Sequence, residues 1–370
     1  MEITDVSVVQ LEHELPAPHG LSRDRTIGSR GVAAVVIDTD SGLRGIGEAV
    51  GPDPYIAETI VEKKYAPRLR GEDPLERERL WRSMLVEDVY WDQKGQGVAA
   101  GSGVDMALWD LAGKHYDEPV SALLGGATTA DRRITAYASD LFWDDPETMA
   151  KTAAEYVDRG FEAVKTHLGR GLEADERRVA AMTEAIGDAD LMVDMNCGYG
   201  YADALRVGRM LEEYDVYWYE EPLSPYDIDG LAELRAALSV PIATGENEYT
   251  KWGFKDLFLA DAVDYAMPDL MRCGGITEGA KIAGLAEAFD VTVTPHCFAS
   301  GIGVAATLQF MLATPACAWL ELDVTDFPLL EGLLKEPLDI EAGRVAVPEG
   351  PGLGVELTDE IIAKYGVDPT

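Results

Sequence analysis

The chain has 370 residues, room for a barrel of about 250 residues with an attached module. Its 67 acidic side chains against 31 basic ones, a formal charge of −36, exclude a basic face for nucleic acid or anionic lipid. The acid is dispersed along the whole chain, the pattern of a protein kept soluble in concentrated salt, where the Debye length is only about 3 Å at 1 M.

The opening MEITDVSVVQLEHE has no basic segment followed by an apolar core, so no signal peptide is read there. Residues 1 to about 50 read as strands, EITDVSVVQLEHEL and then GVAAVVIDTDSGLRGIGEAV, with a hairpin turn at Asp40-Ser41-Gly42. Between them Pro16 to Arg30 is polar and rich in Gly, Pro and His, and is expected to be a lid or binding loop. From Tyr55 to about Gly125 the period turns helical, most clearly in GSGVDMALWDLAGKHY, where Val104, Leu108, Leu111 and Ala112 share one face.

From Arg133 the pattern alternates strand and helix eight times. The strands are RITAYAS, AVKTHLG, LMVDMN, VYWYEE, PIATGE, DYAMPD, VTVTPH and AWLELD, with helices such as DPETMAKTAAEYVDRG between them. Eight such units predict a parallel (β/α) barrel, and no G-x-G-x-x-G follows the first strand to favour a dinucleotide-binding sheet. Residues Phe298 to Leu320 carry no charge over 23 positions, but Gly301, Gly303, Gln309 and Pro315 make them a buried helix and strand of the barrel, not a membrane span. Cys197, Cys273, Cys297 and Cys317 form no C-x-x-C pair and read as reduced thiols of a cytoplasmic protein. Gly274 and Gly275 read as a turn opening a helix rather than a phosphate cradle.

In this fold the active site lies at the C-terminal ends of the strands. Polar residues fall there in every unit: Ser139, Lys165 with His167, Asp194 with Asn196, Glu220, Glu246, Asp269, His296 and Glu321. Asp194, Glu220 and Glu246 are spaced by 26 and 26 residues, one βα unit each, so three hard oxygen ligands converge on one point. That is a magnesium site, since Mg²⁺ prefers carboxylates and water at about 2.1 Å and leaves positions open for substrate oxygens. Of the adjacent Glu220 and Glu221, strand alternation turns Glu220 into the mouth and Glu221 toward the surrounding helices.

The ordered motifs GVDMALWDLAGK, AVKTHLG, LMVDMNCG, WYEEP, GEN, YAMPDLMRCGG, TPHCF and WLELD resemble the enolase superfamily, and within it the mandelate racemase subgroup, over nearly the whole chain. The resemblance implies an α/β protein: a modified TIM barrel, a (β/α) barrel over residues 126–349, under an N-terminal α+β capping domain over 1–125 that residues 350–370 complete. It further implies Asp194, Glu220 and Glu246 as ligands of Mg²⁺, Asp269 and His296 as a dyad, and Lys165 and Glu321 beside the substrate carboxylate. Relatives commonly form dimers to octamers, which implies a homo-oligomer. A hydrogen α to a carboxylate is a very weak acid, so the dianionic enediolate needs preorganised charge, for which Mg²⁺, Lys165 and a protonated Glu321 are suited.

The subgroup's Lys-x-Lys reads Lys165-Thr166-His167 here, so an imidazole stands where a second base would be. Asp269 occupies the position at which lactonising and dipeptide-epimerising relatives carry a lysine. His19, Arg23 and Arg25 of the loop, with Ser139 and Asn196, are the expected substrate contacts, polar groups suited to a hydroxylated ligand. The expectation is dehydration of a sugar acid, an aldonate or aldarate, in which His296 or His167 takes the proton at C2 and a 2-keto-3-deoxy acid results. Racemisation or epimerisation of a 2-hydroxy acid such as mandelate is the alternative, and a non-catalytic sugar-acid binding protein a further one.

Overall fold

The computed structural model describes residues 1–20, 22, 26–51, 53–87, 89–91 and 93–367, and the backbone alone of Ala17, His19, Gly20 and Asp140. Strands β1 (Ile3–Gly20) and β2 (Thr26–Thr39) form an antiparallel ribbon, with β3 (Arg44–Ala49) on the other edge of β2. The run VAAVVI in β2 is buried on both faces: Ala33, Val35 and Ile37 enter the core of the module, while Val32 and Ala34 point into the barrel's core. The segment Pro16–Arg30 is therefore mainly ribbon and not a long loop, because β1 runs on to Gly20 and β2 starts at Thr26. A register shift between Glu14 and His19 takes up the stretch holding Pro16 and Pro18, which have no N–H to give the ladder.

The helix Gln96–Tyr116 departs from its expected single apolar face, since every residue from Gly97 to Gly113 is buried. One side lies on β3, where a Cβ on Gly45 or Gly47 would fall 2.2 or 2.1 Å from the carbonyl oxygens of Ala107 and Gly103. The other meets the barrel helix Gly275–Ala288. Asp110 of this helix accepts the backbone N–H groups of Ile46 and Leu353, so the C-terminal segment is tied to the same helix.

The barrel strands are β4 (Arg133–Leu141), β5 (Ala163–His167), β6 (Asp190–Asp194), β7 (Trp218–Glu220), β8 (Ile242–Thr244), β9 (Tyr265–Ala266), β10 (Thr292–Val293) and β11 (Leu320–Asp323). All pair in parallel from β4 to β10, β11 pairs in parallel with β4, and one bridge, Val293 to Cys317, closes the ring. Tyr137, Met192, Trp218 and Met267 fill the interior. The eighth unit differs from the seven before it: after β11 comes only the short helix Pro328–Gly332. The chain then turns back through β12 (Ile340–Glu341) and β13 (Arg344–Ala346), and β13 pairs antiparallel with β4.

The uncharged stretch forms the wholly buried helix Gly301–Leu312 and leads into β11. Among the described residues no helix is long and apolar enough to cross a membrane. Gly274 and Gly275 sit at φ +119° and +82° and open the helix Gly275–Ala288, and a Cβ on Gly275 would lie 2.4 Å from the Asp105 carboxylate, so the turn is closed by a carboxylate where a phosphate would need room.

Asp105 is fully buried, and its Oδ2 accepts the Thr277 N–H at 2.8 Å. Burial pushes its carboxyl up to about 7, against the opposing hydrogen bonds from Thr277. The native chain thus keeps a proton that the unfolded chain, at 3.8, gives up. This contribution is complete below about pH 4 and is lost as pH rises to about 7, roughly 4 kcal/mol in all. Asp105→Asn should remove that slope: in urea unfolding it should be near neutral at roughly pH 4 and stabilising at roughly pH 8, and an unaltered pH dependence would contradict the assignment.

Candidate active site

Parallel strands deliver their last side chains to one end of the barrel, and there the structure opens a cavity of about 470 Å³ lined by Lys165, His167, Asp194, Glu246, His296 and Glu321 among others. Lys165 and His167 stand two apart on β5 and both reach it, as alternation requires. Asn196 lines it too, with its backbone N–H on Asp194 Oδ1 at 2.7 Å.

Lys165 is buried between two carboxylates, its Nζ 2.6 Å from Glu321 Oε1 and 3.0 Å from Glu220 Oε1. Burial opposes its charge, yet Glu220 and Glu321 outweigh that and hold its pKa well above the usual lysine value. Glu321 also accepts the Ser139 hydroxyl at 2.6 Å and the Cys297 N–H at 2.8 Å. Burial favours its acid form, but Lys165 and His296 prevail and hold it at about 2, so the expected protonated Glu321 is corrected to a carboxylate. Ser139 is buried beneath Glu321 and acts on the cavity through it.

His296 Nδ1 lies 3.0 Å from Asp269 Oδ2, and Nε2 lies 3.3 Å from Glu246 Oε2 and 4.0 Å from Glu321 Oε2. Burial works against its cation, but three carboxylates raise its pKa well above the neutral range expected from the sequence. His167 lies across the ring, its Nδ1 3.3 Å from Asp194 Oδ2 and its ring stacked on Phe142 at 5.7 Å.

Asp194, Glu220 and Glu246 each offer an oxygen within 4.8 Å of the others. Burial pushes the Glu220 carboxyl well up, Lys165 lowers it, and Asp194, Glu321 and Glu246 raise it again. Burial also opposes ionisation of Asp194, but His167 and Lys165 draw its pKa down. Buried carboxylates this close repel one another, and an all-oxygen trio with hydrogen-bonded neighbours fits a hard divalent cation.

Glu221 does not face the helices as alternation predicted. Its φ of +41° breaks the strand's two-residue period just past β7, and its carboxylate lines the cavity beside the Cys197 thiol. Asn247 Nδ2 donates to Glu221 Oε1 at 2.7 Å, Arg272 Nη1 donates to Asn247 Oδ1 at 2.5 Å, and Cys197 Sγ stands 3.3 Å from Glu221 Oε2. Burial and the charges of Glu246 and Asp194 push Glu221 up to about 8. Asn247 and Arg272 were assigned no role in the sequence although both lie within read motifs, GEN and YAMPDLMRCGG, because their directions depend on loop backbone. Of the ribbon residues, Arg23 and Arg25 and the side chain of His19 lie outside the described residues. The described ribbon residue at the cavity is Ile27, which with Val50 and Phe298 contributes apolar surface to the lining.

An acidic trio at neighbouring strand ends, a lysine and two imidazoles, all roofed by a small α+β module, define a barrel enzyme of the enolase type. Residues 3–125 match the mandelate racemase / muconate lactonizing enzyme N-terminal domain, and residues 148–361 match the enolase C-terminal domain-like family. The chain belongs to this family. It is 37% identical to the D-galactarolactone cycloisomerase of Agrobacterium fabrum over 99% of both chains. It is 34% identical to the arabinonate dehydratase of Saccharolobus solfataricus over 90% of both. A solved racemase from Streptomyces coelicolor with bound magnesium superposes with a TM-score of 0.90 at 30% identity, covering 99% of this chain and 100% of the other.

Because Lys165 pairs with two buried carboxylates at once, Lys165→Met should cost about 3–5 kcal/mol of unfolding free energy, and adding Glu321→Gln should return part of it. Urea denaturation of the two variants checks this, and equal losses in both would show that the pairing is not what stabilises the site.

Proposed function

We propose that the protein is a Mg²⁺-dependent hydro-lyase that dehydrates a sugar acid, an aldonate or aldarate, to a 2-keto-3-deoxy acid. The observation that carries this reading is the pair of imidazoles, His167 at the end of β5 and His296 after β10, set on opposite sides of one cavity together with a buried lysine and three converging carboxylates. Asp194, Glu220 and Glu246 would hold the cation, which supplies positive charge against the negative charge that builds on the substrate carboxylate. Lys165 adds a fixed positive charge beside it, and low local polarity strengthens that charge.

One imidazole takes the proton at C2 and the pair's other member serves the opposite end of the bond change. The electron pair of the broken C–H bond passes into the enediolate and expels the C3 oxygen, whose departure is helped by a proton from the imidazolium. Asp269 fixes His296 through Nδ1, which leaves Nε2 facing the cavity. Ser139 fixes Glu321, and Asn196 stands among the candidate substrate contacts with Asp194.

A second reading is favoured by the 37% identity to a cycloisomerase over nearly the full length and by the apolar wall of Ile27, Val50 and Phe298. There the oxygen expelled from C3 belongs to a ring, and no water leaves. A racemase or epimerase would put solvent deuterium at C2 with no elimination. The acidic surface and free cysteines fit a reducing, salt-rich cytoplasm, and the exposed aromatic rings of Tyr90, Trp91 and Tyr226 fit contact with a second copy.

A panel of acid sugars and their lactones, incubated with Mg²⁺ in molar KCl, should yield a 2-keto product lighter than its substrate by one water. An isomeric 2-keto product would select the ring-opening reading, and no product from any acid would sink both. Chelation should stop turnover and added Mg²⁺ restore it, while His296→Asn should lower kcat by about 10²–10⁴-fold, the range that acid–base catalysis supplies.

A further inference from the structure

One buried cation in the capping ribbon has no part in the chemistry above. Arg30 of β2 is 7% exposed, and its guanidinium lies between two aromatic faces, 3.8 Å from the ring centroid of Phe298 and 3.7 Å from that of Phe327. Its Nη1 bonds Asp323 Oδ2 and stands 3.3 Å from the Thr325 hydroxyl. Asp323, 3% exposed, closes β11 two residues beyond Glu321, and its other oxygen accepts the Thr325 N–H and hydroxyl. Every charge in this cluster is matched, and the planar guanidinium, unlike an ammonium, can stack on both rings while it pairs edge-on.

What makes the cluster functional is what its two ends carry. Phe298 lines the cavity two residues after His296, and Ile27, three residues from Arg30 on the same strand, lines it from above. A second buried group of the module holds the far end of the same loop: Glu48 of β3 accepts the Ser300 N–H and hydroxyl and the Gly303 N–H, where the helix Gly301–Leu312 begins. The loop from His296 to Ser300 is therefore gripped by the module at both Phe298 and Ser300.

The geometry points to Arg30 as a positioning residue: by clamping Phe298 against Phe327 and pinning Asp323, the capping ribbon sets the substrate-facing wall beside His296 and the strand end that presents Glu321. This rests on the substrate reading above only for its kinetic part. The structural part concerns loop 296–300 itself. A residue of this kind acts on binding more than on the chemical step, because the reacting imidazole is separately fixed by Asp269.

Two variants test it. Arg30→Lys keeps the charge opposite Asp323 but cannot stack on both rings, and Arg30→Met with Asp323→Asn replaces the pair by a neutral one of similar size. Both should fold, with amide exchange at least tenfold faster in peptides covering 296–300 and 323–328 and unchanged in the strands β5 to β8. With a turned-over sugar acid, KM should rise at least tenfold while kcat changes less than threefold. Exchange and KM both at wild-type levels, or exchange accelerated evenly across the barrel, would overturn the assignment. Should neither variant fold, Phe298→Leu decides: it leaves the ion pair intact, so a raised KM at unchanged thermal midpoint supports the role and an unchanged KM refutes it. If the wild type turns over no sugar acid, the function proposed above fails, and the exchange data still settle the role of Arg30.

Discussion

Negative charge gathered in a dry place is the constraint on which this protein is built. Glu220, Glu321, Asp194 and Asp269 are each nearly or fully buried within one barrel mouth, and every one of them has a specific partner. Lys165 bridges two of them, His167 and His296 meet the others, and backbone N–H groups take up remaining oxygens. Carboxylates would not stay ionised in such a setting without those partners, since burial alone pushes each toward its acid form. The barrel supplies the convergence, because eight parallel strands end at one face and each can present a different group there.

The capping module is joined to this mouth by buried polar contacts as well as by apolar packing. Glu48 and Arg30 reach from the sheet to the loop after β10 and to the end of β11, and Asp105 reaches from the helix Gln96–Tyr116 to the first turn of Gly275–Ala288. Such contacts are specific in direction, because a misplaced module would leave charged groups buried without partners. The roof of the site is thereby held in register with its floor, and the apolar wall of Ile27, Val50 and Phe298 is part of that roof and rim.

Much of this was legible in the chain. The alternation of apolar runs with amphipathic segments marked all eight barrel strands, and the even spacing of Asp194, Glu220 and Glu246 brought three carboxylates to one point. Strand periodicity correctly put Lys165 beside His167. It misjudged Glu221, since a positive φ just beyond β7 ends the alternation on which the reading relied. It also took a proline-bearing ribbon for a loop, because a register shift can absorb such residues without breaking a sheet. The helix Gln96–Tyr116 looked one-sided in sequence and is enclosed on every side, as two bodies pack on it and not one.

By itself, then, the order of residues determined the fold, the strand ends and the identity of the groups that meet there, because these follow from periodicity and local spacing. Tertiary structure decided their charge states and their company: that Glu321 is a carboxylate and His296 a strong acceptor of protons, that Arg272, Asn247 and Glu221 form one chain, and that Arg30 lies between two rings. Those outcomes depend on distances between residues far apart in the chain and on the loss of water around them, neither of which any local pattern encodes.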